Sequence, residues 1–105
     1  VRSYTQGGQG QYRSLNPCGH TQDTVSGVTK LSGGVPPALN IERVTVRIGS
    51  FPVRFRDDGV NPTGTRGFPL LKDEVITFDS AFDDIRFIAD ATAGGTPILD
   101  AVWYN

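Results

Sequence analysis

One cysteine, Cys18, and one histidine, His20, are the only soft-ligand and imidazole side chains in the chain. A lone cysteine excludes an internal disulfide framework and a multi-cysteine zinc site. Long apolar stretches are also missing: nothing approaches the roughly 18 residues that cross a bilayer. Val1-Arg2-Ser3-Tyr4 lacks the apolar core of a signal peptide, so neither a membrane partner nor a secretory leader is expected. An excess of positive charge is absent too, with 10 Lys and Arg against 11 Asp and Glu. A general nucleic-acid binder carries a basic stripe, so no specific nucleic-acid partner is expected. The phosphate loop, the dinucleotide fingerprint, the nucleophile elbow and the His-Glu zinc helix do not occur. At 105 residues and 11.3 kDa, there is room for one hydrophobic core.

What the chain has in quantity is punctuation. Thirteen glycines and seven prolines disfavour helix interiors. Apolar residues fall instead in runs of four to eight broken by turn residues. This predicts an all-β fold, a small antiparallel β-sandwich or barrel of six to eight short strands. The strand signals start at Thr21, giving an extended N-terminal arm over 1–20 and a single β domain over 21–105. Val25, Val28 and Leu31 mark a first strand, and Ile41 to Ile48 is the clearest one. There Val44, Val46 and Ile48 share one face, while Arg43, Thr45 and Arg47 share the other. Val53 and Phe55 alternate with Arg54 and Arg56, as a neighbouring antiparallel strand or a bulged continuation of the same one. Strands are also expected over Val75–Asp79, Ile85–Ala89 and Ile98–Tyr104, with a Gly-rich hairpin loop over 91–97. The last strand is apolar on both faces, which suits a central position or a subunit contact.

The polar, Gly-rich segment 1–12 cannot bury enough apolar area to fold alone. It reads as a tail, or as an arm that orders on a partner with Tyr4, Tyr12 and Leu15 as anchors. Candidate chemistry is sparse. Cys18 and His20 are two ligands at most, too few for structural zinc, and as a nucleophile pair they would need a rigid platform and an oxyanion hole. Asp57-Asp58-Gly59-Val60-Asn61 lacks the acidic spacing of a calcium loop. Asp57 with Asp83 or Asp84 would form a hydrolase pair only with a suitable cleft. Residues 1–50 hold five basic and two acidic side chains, and 51–105 hold five and nine, so the chain is polarised from +3 to −4. Eight of the ten basic residues are arginine, whose fork binds carboxylates in bidentate fashion. Arg54, Arg56 and Arg66 flank Asp57 and Asp58, so the long connection 57–69 is expected to be cross-linked to the sheet.

The run Pro52-Val53-Arg54-Phe55-Arg56-Asp57-Asp58-Gly59-Val60-Asn61-Pro62-Thr63, followed by Gly67-Phe68-Pro69-Leu70, resembles a group of small tailed-bacteriophage virion proteins. The pattern they share is Val-Arg-aromatic-Arg-Asp-Asp-Gly, two residues, Pro-Thr, then Gly-x-Pro-Leu. Ile85-Arg86-Phe87-Ile88, the closing run Ile98–Tyr104 and the Thr-rich stretch ending at Leu31 are similar to that group as well. The likeness covers about residues 21–105. It implies a structural protein of the virion, not an enzyme and without a cofactor, assembled in the host bacterial cytoplasm. Its implied partners are the major capsid protein or other virion proteins and further copies of itself. The role it points to is capsid decoration (cement), binding and stabilising the head shell. A head-to-tail or tail accessory protein is the alternative, and a carbohydrate-binding β-sandwich for host attachment, stacking sugars on Trp103 and Tyr104, is a third. In the decoration role the motif loop, with Arg54, Arg56, Asp57, Asp58, Gly59, Pro62, Thr63, Arg66, Gly67 and Pro69, forms a rigid protrusion.

Overall fold

A computed structural model describes residues 3–5, 15–34 and 40–105. Nine strands are present among them: β1 (Ser3–Thr5), β2 (Pro17–Thr24), β3 (Thr29–Lys30), β4 (Arg43–Gly49), β5 (Val53–Arg56), β6 (Phe68–Leu70), β7 (Val75–Phe78), β8 (Arg86–Ala89) and β9 (Ile98–Tyr104). They form a five-stranded sheet in the order β1-β7-β4-β9-β2 and a four-stranded sheet in the order β3-β8-β5-β6. Every pairing is antiparallel except β1 on β7, which is parallel. The fold is all-β, a small sandwich, as the runs of alternating residues predict.

The alternation builds the core directly. Val44, Val46 and Ile48 of β4 stand opposite Trp103, Ala101 and Leu99 of β9 and are fully buried with them. β9 therefore lies inside the sheet, flanked by β4 and β2. Between the sheets, Phe78 of β7 meets Phe55 and Phe87 edge-on, with ring centroids 5.4 and 6.2 Å apart. T-shaped contacts of this kind add to the value of the buried area.

The connections differ from the sequence expectation in an instructive way. β4 and β5 are neither neighbours nor one bent strand; Gly49–Pro52 carries the chain from the five-stranded to the four-stranded sheet. Residues 90–97 form no hairpin, because they carry it back from β8 to β9. The two crossovers lie side by side: the Asp90 N–H donates to the Pro52 carbonyl at 3.1 Å. Phe51 packs so closely on Gly95 that a Cβ there would lie 2.5 Å from the ring, which is why glycine occupies that point. β2 begins at Pro17, so residues 17–20, read from sequence as arm, belong to the sheet and pair with β9. The strand expected around Val25–Leu31 shrinks to the two residues of β3. Val28 is exposed, while Val25 and Leu31 are buried on either side of a third crossing between sheets.

Candidate interaction surface

Alternation on β5 points Val53 and Phe55 into the core and turns Arg54 and Arg56 outward. The register aligns Arg56 with Arg86 of β8, and Arg86 with Lys30 of β3, so three cations line up across the outer face of the four-stranded sheet. Like charges directly opposite one another destabilise a sheet. Each of these cations is met by an acceptor from a connecting segment. Lys30 Nζ lies 3.2 Å from Asp83 Oδ1, and Arg86 Nη1 donates to Asn61 Oδ1 at 2.6 Å. Arg56 grips Asp58 with both ends of its fork, Nε to Oδ1 at 3.0 Å and Nη2 to Oδ2 at 2.5 Å. On the next row, Arg54 Nε donates to Asp90 Oδ2 at 2.7 Å and its Nη1 to the Gly67 carbonyl at 3.0 Å.

These contacts draw the long connection onto the sheet. The Gly59 N–H donates to the Asp84 carbonyl at 3.2 Å, and the Ala91 N–H to the Gly64 carbonyl at 2.8 Å. Pro62 is buried. Thr63 and Arg66 exchange main-chain hydrogen bonds at 2.8 and 3.2 Å, closing a tight turn that the Thr63 hydroxyl caps. Gly67 then approaches the sheet with φ +135°, and a Cβ there would lie 3.1 Å from the Phe55 carbonyl. The motif loop is thus a clasp lying over the outer face, not the protrusion expected from sequence. Cross-linking by arginine is present with a different partner list. Asp58 takes Arg56, but Arg54 pairs with Asp90, and the Arg66 side chain is exposed with no ion pair among the described residues.

The electrostatics suit holding. The hydrogen bond from Arg56 pulls the Asp58 carboxyl down from its ordinary 3.8 to about 2, and the same bond raises Arg56. Asp90 is lowered chiefly by the Thr92 hydroxyl and N–H, with Arg54 adding to them. Both carboxylates stay ionised near neutrality and cannot lend a proton there. Asp84 sits beside Gly59, whereas Asp83 turns to Lys30.

Beside the clasp is a hollow of about 270 Å³ lined by Phe55, Arg56, Asp57, Asp58, Gly67 and Phe68. Phe68 is 44% exposed, and two more large apolar side chains of this stretch of the chain reach solvent, Val60 at 50% and Leu71 at 61% exposure. Sequence reasoning did not single out these three, although Phe68 opens the edge strand β6 and Leu71 directly follows it. Pro69 sits in that edge strand opposite Arg54, a position where a missing N–H interrupts pairing by another chain. A second hollow, about 420 Å³, lies on the outer face of the five-stranded sheet, lined by His20, Thr45, Arg47, Val75, Asp100 and Val102. There Arg47 bridges Asp73 at 2.6 Å and Asp100 at 3.2 Å.

The remaining candidates are dispersed. A bulge between Pro17 and Gly19 breaks the alternation of β2, so Cys18 packs against the core while His20 lines the outer hollow. The two side chains weighed as a ligand or nucleophile pair lie on opposite faces. Among the described residues no three His, Cys, Asp or Glu side chains come together as a metal set. Trp103 is 1% exposed and its Nε1 donates to the Thr21 hydroxyl at 2.9 Å, so it is a core residue with no free face for stacking on a sugar. Of the arm anchors, Tyr4 is in β1, Leu15 is half-buried just before β2, and Tyr12 lies outside the described residues. No family model matches the chain, and neither curated proteins nor solved structures give a match.

Proposed function

We propose that the chain is a structural protein of a tailed-bacteriophage particle, and that its task is to decorate and reinforce the head shell. The observation that carries this reading is the clasp. The residues of the virion-like motif are fastened by Arg54, Arg56 and Arg86 into one fixed surface, and Val60, Phe68 and Leu71 are exposed within or just after that segment. A preorganised segment with exposed apolar side chains and ion pairs already satisfied inside the chain binds a partner with little ordering cost. The apolar side chains supply the contact, and the major capsid protein is the partner proposed. The particle would be assembled in the bacterial cytoplasm, where a chain without paired cysteines is at no disadvantage.

The test is the copy number of this chain in purified particles, by quantitative gel against the major capsid protein, with cryo-microscopy to locate it. Many copies spread over the shell support decoration. Six or twelve copies at a single vertex would move the chain to the neck or tail. Absence from the particle would end the virion reading.

A further inference from the structure

Asp58-Gly59 is the only place in the sequence where an aspartate precedes a glycine, and no asparagine does. At such a step the glycine nitrogen can attack the aspartyl Cγ, because glycine has no side chain to stand in the way. An N–Cγ bond forms, the carboxyl C–OH bond breaks, and the hydroxyl leaves with the amide proton as water, giving a cyclic imide. Water then reopens the ring at either carbonyl. Opening at the former main-chain carbonyl routes the backbone through Cγ and leaves the α-carboxyl as the side group, an isoaspartyl residue of unchanged mass.

The fold demands both residues of this pair. Gly59 has φ +78°, in the left-handed region, and a Cβ there would lie 3.2 Å from Asp84 Oδ1. Asp58 is the carboxylate gripped by the Arg56 fork. Replacing either one to avoid the reactive step would loosen the clasp. The same contacts also occupy both reacting groups. Asp58 Oδ1 accepts from Arg56 Nε at 3.0 Å and from the Val60 N–H at 3.2 Å, while Oδ2 takes Arg56 Nη2. The Gly59 N–H donates to the Asp84 carbonyl at 3.2 Å, and Asp84 is held in the short helical turn Phe82–Asp84 ahead of β8. Ring closure requires the nitrogen to give up that carbonyl and the carboxyl to swing off Arg56. It also proceeds best from the neutral acid, and Arg56 holds Asp58 ionised down to about 2.

We propose that Asp58-Gly59 is a latent isoaspartyl modification site, closed while Arg56 and the Asp84 carbonyl hold it and converted one way once that end of the clasp lets go. The product does not refasten. Its backbone is one carbon longer and its carboxylate one carbon shorter, so the side group no longer reaches the Arg56 fork and the Gly59 N–H is displaced from the Asp84 carbonyl. Each long opening of the clasp is thereby recorded in the covalent structure.

The test ages the purified full chain at neutral pH. Isoaspartate is measured by methyl transfer from S-adenosylmethionine with an isoaspartyl methyltransferase, and located by electron-transfer fragmentation. The same chain unfolded in guanidinium chloride supplies the unprotected rate. The folded chain should convert at least about tenfold more slowly, as expected where a segment must open locally before it reacts. Arg56→Ala should convert several-fold faster than the unchanged chain while Trp103 fluorescence shows it folded. Arg56→Lys, which keeps the charge without the fork, should fall between them, and it carries the comparison if Arg56→Ala does not fold. Arg54→Ala is the control: its bonds go to Asp90 and the Gly67 carbonyl, so it weakens the fold without freeing Asp58 and should age at the unchanged rate. A folded chain that converts as fast as the unfolded one overturns the proposal, and so do Arg56 variants no faster than the unchanged chain. Equal acceleration by Arg54→Ala also overturns it, by assigning the reaction to general loosening of the fold.

Discussion

Arg54 and Asp90, 36 residues apart in sequence, are joined by a 2.7 Å hydrogen bond at the point where the clasp and the second crossover meet. Arg54 is one-quarter exposed and Asp90 one-tenth, so this pair is far better shielded than Arg56 with Asp58. Replacing Arg54 removes the donor to Asp90 and to the Gly67 carbonyl together. Arg54→Ala should cost about 1–2 kcal/mol in urea unfolding, at the level of charge-assisted hydrogen bonds. Arg56→Ala should cost less, because its partner is held near solvent. Equal losses would contradict the ranking.

Acid should release the clasp before it unfolds the sandwich. Asp58 is drawn from 3.8 to about 2 by Arg56, and Asp90 is also lowered. A depressed folded pKa means that the stabilisation is fully present above the unfolded value near 4 and is lost as pH falls toward 2. Hydrogen exchange at Val60, whose N–H donates to Asp58 Oδ1 at 3.2 Å, should quicken over that window. Asp58→Asn should exchange faster at neutral pH and lose most of the acid response.

Gly67 adopts φ +135° with neighbours 3.1 and 3.2 Å from where a Cβ would sit. Gly67→Ala should therefore destabilise by about 1–3 kcal/mol through backbone strain and crowding. Thermal melts measure this, and an unchanged midpoint would mean that the turn can relax.

Phe87 is fully buried and meets both Phe55 and Phe78. Phe87→Ala should cost about 3–5 kcal/mol in denaturant unfolding, the usual loss for an aromatic core truncation.

Leu71 is the most exposed large apolar side chain among the described residues and takes no part in the core. Leu71→Asp should leave the melting temperature nearly unchanged. In the decoration reading it should weaken attachment to particles by about tenfold or more, as loss of an interface anchor does. Full binding by this variant would move the contact surface elsewhere.

Local alternation made the inward faces of β4, β5, β7 and β9 legible, because Val44-Val46-Ile48 and Leu99-Ala101-Trp103 repeat every second residue and are all buried. β2 was hidden by Pro17 and Gly19, which lower strand propensity, and by the bulge that sends Cys18 inward. Turn chemistry at Gly49–Pro52 and at 90–97 announced a change of direction without saying whether the next strand stays in the same sheet. The clasp was half legible. The two-residue spacing of Arg56 and Asp58 shows in sequence, whereas Arg54 with Asp90 and Arg86 with Asn61 are brought together only by the register of β5 and β8.

β9 is the last described strand in sequence and yet lies inside its sheet, joining β4 to β2. As the chain is made, β4 and β7 can pair with each other, but β2 has no strand to join until β9 follows. One edge of β4 likewise stays open until Ile98–Tyr104 is available to pair with Arg43–Gly49. Completion of this sheet is thus dominated by contacts distant in sequence, the regime in which chains fold slowly and partly folded copies are exposed to one another.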